Sequence, residues 1–187
     1  MIRVASAGDR RALSAVLARA FHEDPVARFA YPRPAQRPKL LRRYARGRLR
    51  TLLPEELVFC DAAPHGAALW APPDRWRVEP AELLRNGLFR RLPLMALGGA
   101  AVERAHPSQP HYYLSMLGVE PAAQGRGLGS RLLRPMLDRM DGEGVPGYLE
   151  SSSPRNIDFY ARHGFRVTGE VKLPRGPVLW LMWRDPR

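Results

Sequence analysis

The sequence predicts a mixed α/β domain whose middle is a strand–loop–helix–strand unit. Three features predict it. Residues 111–119 (HYYLSMLGV) are an apolar run of strand length that leads into a glycine-rich turn over 125–129. Across 130–140 the apolar residues Leu132, Leu133, Met136 and Leu137 recur at helical spacing, and 146–151 is strand-like again. The chain has 187 residues, 45% of them hydrophobic and 26% charged, which suits one domain (1–187) with a real core.

The flanking elements follow in order. Residues 2–5 make a short extended start. Asp9 is placed to cap a helix with Leu13, Val16, Leu17, Ala20 and Phe21 on one face, and Pro25 ends it. Residues 21–34 read as a loop with one helical turn that carries the acidic pair Glu23 and Asp24. Residues 36–53 read as a second amphipathic helix, with Leu40, Leu41 and Tyr44 inward. Its other face is a solvated run of Arg33, Arg37, Lys39, Arg42, Arg43, Arg46, Arg48 and Arg50 with no acid among them. Residues 57–61 and 67–70 form a hairpin that Pro72 and Pro73 stop. Helices are predicted over 80–92 and 94–104, the second weakened by Gly98 and Gly99. Residues 157–163 make a short helix that Gly164 closes. Residues 166–172 and 178–183 make a terminal hairpin.

Composition excludes several classes. Cys60 is alone, so there is no internal disulfide and no thiolate metal cluster. The five histidines, His22, His65, His106, His111 and His163, lack ligand spacing, and no metal is expected. The first residues carry no signal-peptide run. The longest apolar run, 92–102, is broken by Pro93, Gly98 and Gly99 and falls short of the roughly 20 residues of a membrane span. These features point to a cytoplasmic protein without membrane contact. Net charge is +12, and only Lys39 and Lys172 among the basic residues are lysines. A codon bias towards Arg, Ala, Pro and Gly explains that excess better than a specific nucleic-acid partner, since no aromatic-interleaved basic motif occurs.

Residues 117–130 carry the most chemistry. Gly125, Gly127 and Gly129 remove side chains where backbone N–H groups must approach a ligand, and a helix opens there with its positive end. Such a loop suits a pyrophosphate, with Arg126 and Arg131 available for charge-assisted bonds. No Lys-Ser or Lys-Thr follows the glycines and the spacing is not G-x-G-x-x-G, so neither a Walker loop nor a dinucleotide fingerprint is present. A plain glycine-rich turn is the alternative.

Gln124-x-x-Gly127-x-Gly129, after a strand and opening a helix, resembles the acetyl-coenzyme A loop of the GNAT superfamily of N-acetyltransferases. The segment from Tyr148 through Asn156 and Tyr160 to Gly164-Phe165 is similar to that family's second block, in the family's order and spacing. LESSSPRNIDFYARHGF and the ending LPRGPVLWLMWR resemble the branch that includes puromycin N-acetyltransferase.

The resemblance implies a mostly antiparallel central sheet flanked by helices, with a splayed strand pair at the acetyl-CoA site. It implies direct acetyl transfer to the primary amine of a small molecule, aminonucleoside-like, antibiotic-like or a polyamine. Leu117, Gly118 and Val119 would lie along the pantetheine arm, Gln124, Gly125, Arg126, Gly127, Leu128, Gly129 and Ser130 around the pyrophosphate, and Asn156 on the arm. Tyr160 would be the general acid at sulfur. Glu150, at the carboxyl end of its strand, is the candidate base, directly or through water. Glu23 and Asp24 are candidates to attract a cationic amine. A monomer or homodimer is expected. The other readings are a non-catalytic acetyl-CoA-binding module and a basic nucleic-acid-binding protein using the helix over 36–53.

Overall fold

The computed structural model describes residues 1–77 and 92–187. Seven strands form one sheet: β1 (Ile2–Val4), β2 (Val58–Asp61), β3 (Gly66–Ala71), β4 (Tyr112–Val119), β5 (Gly147–Ser151), β6 (Arg166–Lys172) and β7 (Val178–Arg184). Their order is β1-β2-β3-β4-β5-β7-β6. Every neighbouring pair is antiparallel except the central β4–β5 pair, which is parallel. The helices are α1 (Arg10–Ala20), α2 (Pro25–Ala30), α3 (Arg37–Leu52), α4 (Leu92–Ala105), α5 (Leu128–Glu143) and α6 (Ile157–Ala161). The expected helix over 80–92 lies outside the described residues except for Leu92, which opens α4. No described helix is long and apolar enough to cross a membrane.

The sheet separates two apolar layers. On one face Leu132, Leu133, Met136 and Met140 of α5 pack on Phe59, Ala68, Trp70, Leu114 and Leu149. On the other, Leu13 and Leu17 of α1 and Ala45, Leu49 and Leu52 of α3 pack on Val58, Cys60, Leu69 and Met116. That second face continues over Tyr148, Leu179, Leu181 and Trp183, against Ala101, Val102 and Ala105 of α4.

Three expectations change. Asp9 does not cap α1 by itself. Its carboxylate accepts the Ser6 amide at 2.7 Å and pairs with Arg3 at 2.8 Å, closing a 3-10 turn (Ala7–Asp9) ahead of the helix. Pro25 opens a helix rather than only ending one. It stands at the first position of α2, where the missing N–H costs nothing, and Asp24 accepts the amides of Val26 and Ala27. The basic face of α3 is also smaller than the sequence suggests, because Arg37 and Arg48 are buried. Arg37 satisfies the carbonyls of His22 and Tyr31, both at 2.9 Å, and Arg48 donates through Nε to Ser115 at 3.0 Å. Two of the eight cations expected to face solvent therefore serve the interior.

β4 carries the feature that shapes the centre. Leu69 pairs with Met116 and Trp70 with Leu114, so Ser115 is an extra residue, a β-bulge. Ser115 and Met116 both turn towards α1 and α3. Leu117 and Val119 then turn towards α5, and Gly118 towards α1. A Cβ at Gly118 would stand 2.8 Å from Leu17 Cδ2 and 3.0 Å from Ala20 Cβ, so α1 lies on β4 only because that position is bare. Gly118→Val is expected to cost about 1–3 kcal/mol of stability by forcing this contact apart, measured as a lower denaturation midpoint.

β4 and β5 pair only at Tyr112–Gly147 and Tyr113–Tyr148. Past that rung the two strands diverge while β4 stays paired to β3 as far as Val119. The sheet thus opens at the carboxyl ends of its parallel strands.

Candidate active site

A cavity of about 530 Å³ occupies this opening, lined by the end of α1 and the start of α2, Glu23 included, as well as by the start of α5. Leu117, Gly118 and Val119 form one wall. Gln124, Gly125, Gly127, Leu128, Gly129 and Ser130 form the floor, and Asp24, Asn156, Phe159 and Tyr160 stand opposite.

The floor is built by backbone. Gln124 Nε2 donates to the Val119 carbonyl at 3.0 Å, tying the loop to the strand end. Gly125 and Gly127 have φ of 75° and 73°, the left-handed region where a Cβ is strained, and these turns swing the chain into α5. The helical bond from the Arg131 amide goes back to the Gly127 carbonyl at 3.1 Å. The amides of Leu128, Gly129 and Ser130 therefore lack intrahelical acceptors and stay available at the positive end of a 16-residue helix. A Cβ at Gly129 would meet the Phe159 ring at 3.3 Å, so the cleft between loop and α6 accepts bare backbone. A cradle of free amides without side chains fits a pyrophosphate. Arg126 does not line the cavity. Its side chain is exposed, and its carbonyl accepts a bond from Arg131 at 3.2 Å. Arg162 reaches the cavity instead.

Tyr160 is 8% exposed, with its ring packed edgewise on Phe159 and Phe165. Burial, and secondarily the charge of Asp24, push its pKa up, so the phenol keeps its proton. Asn156 ends the 3-10 turn (Pro154–Asn156) that leads into α6 and is exposed on the cavity rim. Asp24 is fully engaged: Oδ1 accepts the α2 amides and Oδ2 accepts the Ser152 hydroxyl. It latches the loop after α1 to the end of β5. Glu23 is mostly exposed, beside His22, Arg28 and Arg37. The buried Arg37 holds the carbonyls of this loop and so positions both acids.

Glu150 does not line the cavity. Side chains alternate along β5, so Leu149 faces α5 while Tyr148 and Glu150 face the α1/α3/α4 side. Glu150 stands past the last β4–β5 rung, at the edge of the splay, with its side chain 8% exposed. Oε2 accepts the Tyr113 hydroxyl at 2.6 Å, and Oε1 lies 3.5 Å from His106 Nδ1. Burial first, and then the Glu150 charge, hold the Tyr113 and Tyr148 phenols protonated.

Sequence reasoning misses Tyr113, His106 and Arg48 at this centre, and Ser152, Ser153, Phe159 and Arg162 around the cavity. Alternation along β4 is a usable signal for Tyr113. Metal-ligand spacing is the wrong question to ask of the histidines, and nothing in helical periodicity marks Arg48 as buried.

A model of the acetyltransferase (GNAT) family matches residues 70–165, which enclose β4, the glycine loop, α5, β5 and α6. An uncharacterised N-acetyltransferase of Schizosaccharomyces pombe is 29% identical over 140 residues, 65% of this chain and 56% of that protein. The N-alpha-acetyltransferase RimI of Mycobacterium tuberculosis is 35% identical over 74 residues, 39% of this chain and 47% of that one. The matches thus span about half the length of these curated relatives. A solved structure described as histone acetyltransferase HPA2 and related acetyltransferase, from Corynebacterium glutamicum, shares the fold with a TM-score of 0.71. It is 24% identical and the alignment covers 100% of this chain and 96% of that one.

Proposed function

The chain belongs to the GNAT acetyltransferase family, and on that premise we propose that it moves an acetyl group from acetyl-coenzyme A directly to a primary amine of a small molecule. The observation that carries this reading is the cradle of free amides at the mouth of the β4–β5 splay, with a protonated Tyr160 across the cavity. Aminonucleoside-like and antibiotic-like amines and polyamines are the acceptor classes we propose.

Bound in the cavity, acetyl-coenzyme A supplies an activated acetyl thioester. The amides of Leu128, Gly129 and Ser130 and the positive end of α5 hold the pyrophosphate. The unpaired edge of β4 at Leu117–Val119 offers backbone groups to the pantetheine arm, and Asn156 adds a side-chain bond. Tyr160 donates its phenolic proton to the departing sulfur. Glu150 takes up the proton of the amine from the far side of the splay. Glu23 and the loop carrying Asp24 draw a cationic amine towards the opening.

The test is a screen for thiol release from acetyl-coenzyme A against an amine library. We expect turnover with at least one cationic small amine. With that amine, Glu150→Gln is expected to lose most activity near neutral pH and to recover part of it as pH rises, because more of the amine then arrives neutral. Binding of acetyl-coenzyme A with no turnover of any amine would instead identify a non-catalytic module. Tight, sequence-preferring DNA binding at about physiological salt would overturn the enzyme reading.

A further inference from the structure

On the far face of the sheet from the glycine loop, a row of side chains is joined with a fixed hydrogen-bond direction. The Gln109 carbonyl can only accept, so His111 Nδ1, 2.6 Å away, carries the hydrogen. Burial lowers the His111 pKa and keeps that ring neutral, which leaves its Nε2 a bare acceptor. His106 Nε2 lies 3.0 Å from it and therefore donates. His106 Nδ1 is the free end of the row, and it faces Glu150 Oε1 at 3.5 Å. Both of those atoms are buried and neither has a hydrogen-bond partner. The His106 ring cannot turn away: Trp76 stacks on it at 3.5 Å between centroids, and Tyr113 and Tyr148 close its edges.

Two acceptors thus face each other across a gap about 0.5 Å wider than an ordinary hydrogen bond. Left bare, His106 Nδ1 is unsatisfied in the interior, which is costly, while the Glu150 carboxylate has the Tyr148 phenol within reach. One proton between them converts the pair into a charge-assisted bond and leaves no room for a second.

We propose that His106, oriented by His111, is a positioning residue that makes Glu150 a receptacle for a single proton, held between Oε1 and Nδ1, which the acceptor amine gives up in acetyl transfer. The inference rests on the acetyltransferase reading and deepens it. The ammonium N–H bond breaks with its electron pair left on nitrogen. The proton joins the Glu150–His106 pair and returns to solvent after turnover. The second N–H proton, lost once the C–N bond has formed and the C–S bond has broken, replaces the one Tyr160 gives to sulfur, and nothing is oxidised or reduced.

The surroundings fit that role. Among the described residues, Tyr113 on β4 and Tyr148 on β5 face Glu150, and both phenols keep their protons. Arg48 and Tyr44 of α3 face Tyr113 from the other side, and Asp74 acts on His111. Arg48 is fully buried and always charged, and its charge acts on Tyr113.

Ring NMR on the full chain tests the pair without any substrate. Wild type is expected to show a far-downfield proton on His106 Nδ1 on acidification, with His111 fixed as the Nδ1–H tautomer. Glu150→Gln is expected to lose that proton at the same pH. A His106 Nδ1 that stays bare between about pH 5 and 9, or a proton there that survives Glu150→Gln, would overturn the proposal.

A kinetic arm uses an amine found by the thiol-release screen. His106→Phe, which keeps a ring against Trp76, is expected to lower kcat at least about tenfold near neutral pH, with the deficit narrowing as pH rises and KM for acetyl-coenzyme A within about twofold. An unchanged pH profile in a folded His106→Phe would also overturn it. Should that variant not fold, the ring measurement on wild type and Glu150→Gln decides alone. Absence of turnover with every amine counts against the proposed function, and the ring measurement still decides the proton pair.

Discussion

Gly127→Glu is expected to abolish acetyl-coenzyme A binding in calorimetry, with Kd raised at least about 10²-fold, while the protein stays folded. Gly127 is the residue before α5 and has φ of 73°. A side chain there is strained by about 1–2 kcal/mol, which a domain of this size tolerates. The new carboxylate would sit at the positive end of α5, where a negative charge favours the helix itself. The same charge would lie among the amides proposed for the pyrophosphate, so it satisfies the helix and repels the ligand. Gly127→Ala separates the two effects. It carries the strain without the charge and is expected to weaken binding far less. Normal binding by Gly127→Glu would show that the phosphates lie elsewhere.

How far this site can be read from sequence depends on which physical signal each part leaves. Strands β4, β5, β6 and β7 and helices α1, α3 and α5 leave periodic apolar patterns, and their positions follow within a few residues. The glycine loop leaves a spacing, and the structure supplies a separate reason for each glycine. Gly125 and Gly127 take positive φ, Gly129 makes room for the Phe159 ring, and Gly118 on the preceding strand admits the close approach of α1. The bulge at Ser115 leaves no trace, because LSML reads the same with or without it. It nevertheless decides which face Ser115 and Met116 take. α2 is legible in principle, since Asp24-Pro25 is a cap followed by the residue best suited to the first helical position.

The face of Glu150 is half legible. Alternation separates it from Leu149, but which face carries the loop depends on sheet order and on the splay. The His106–Glu150 approach joins residues 44 positions apart, through a loop on one side and a strand on the other. No local pattern encodes it. The same holds for Arg48, which reads as one more cation on a basic helix until α3 is docked on β4 and its guanidinium turns inward to Ser115.

Tyr160→Phe is expected to lower kcat by roughly 10²-fold with little change in acetyl-coenzyme A affinity, the contribution typical of one general acid. The substitution removes one oxygen and keeps the ring whose edgewise contacts with Phe159 and Phe165, at 5.1 and 6.0 Å between centroids, hold the end of α6. The cavity wall therefore survives, and the measured loss reports the hydroxyl alone. Burial and Asp24 both raise the pKa of this phenol, so it carries its proton throughout the range in which amines are acetylated. In the proposed role it would stand ready as a donor without any lowering of the pH. The sign of the pH effect follows. The deficit in Tyr160→Phe should stay nearly constant as pH rises, because a neutral amine does nothing for a departing sulfur that lacks a proton. In Glu150→Gln the deficit should shrink over the same range. Parallel profiles for the two variants would mean that both act on the same proton. Full activity in Tyr160→Phe would assign the protonation of sulfur to solvent and leave the tyrosine as packing at the base of the cavity.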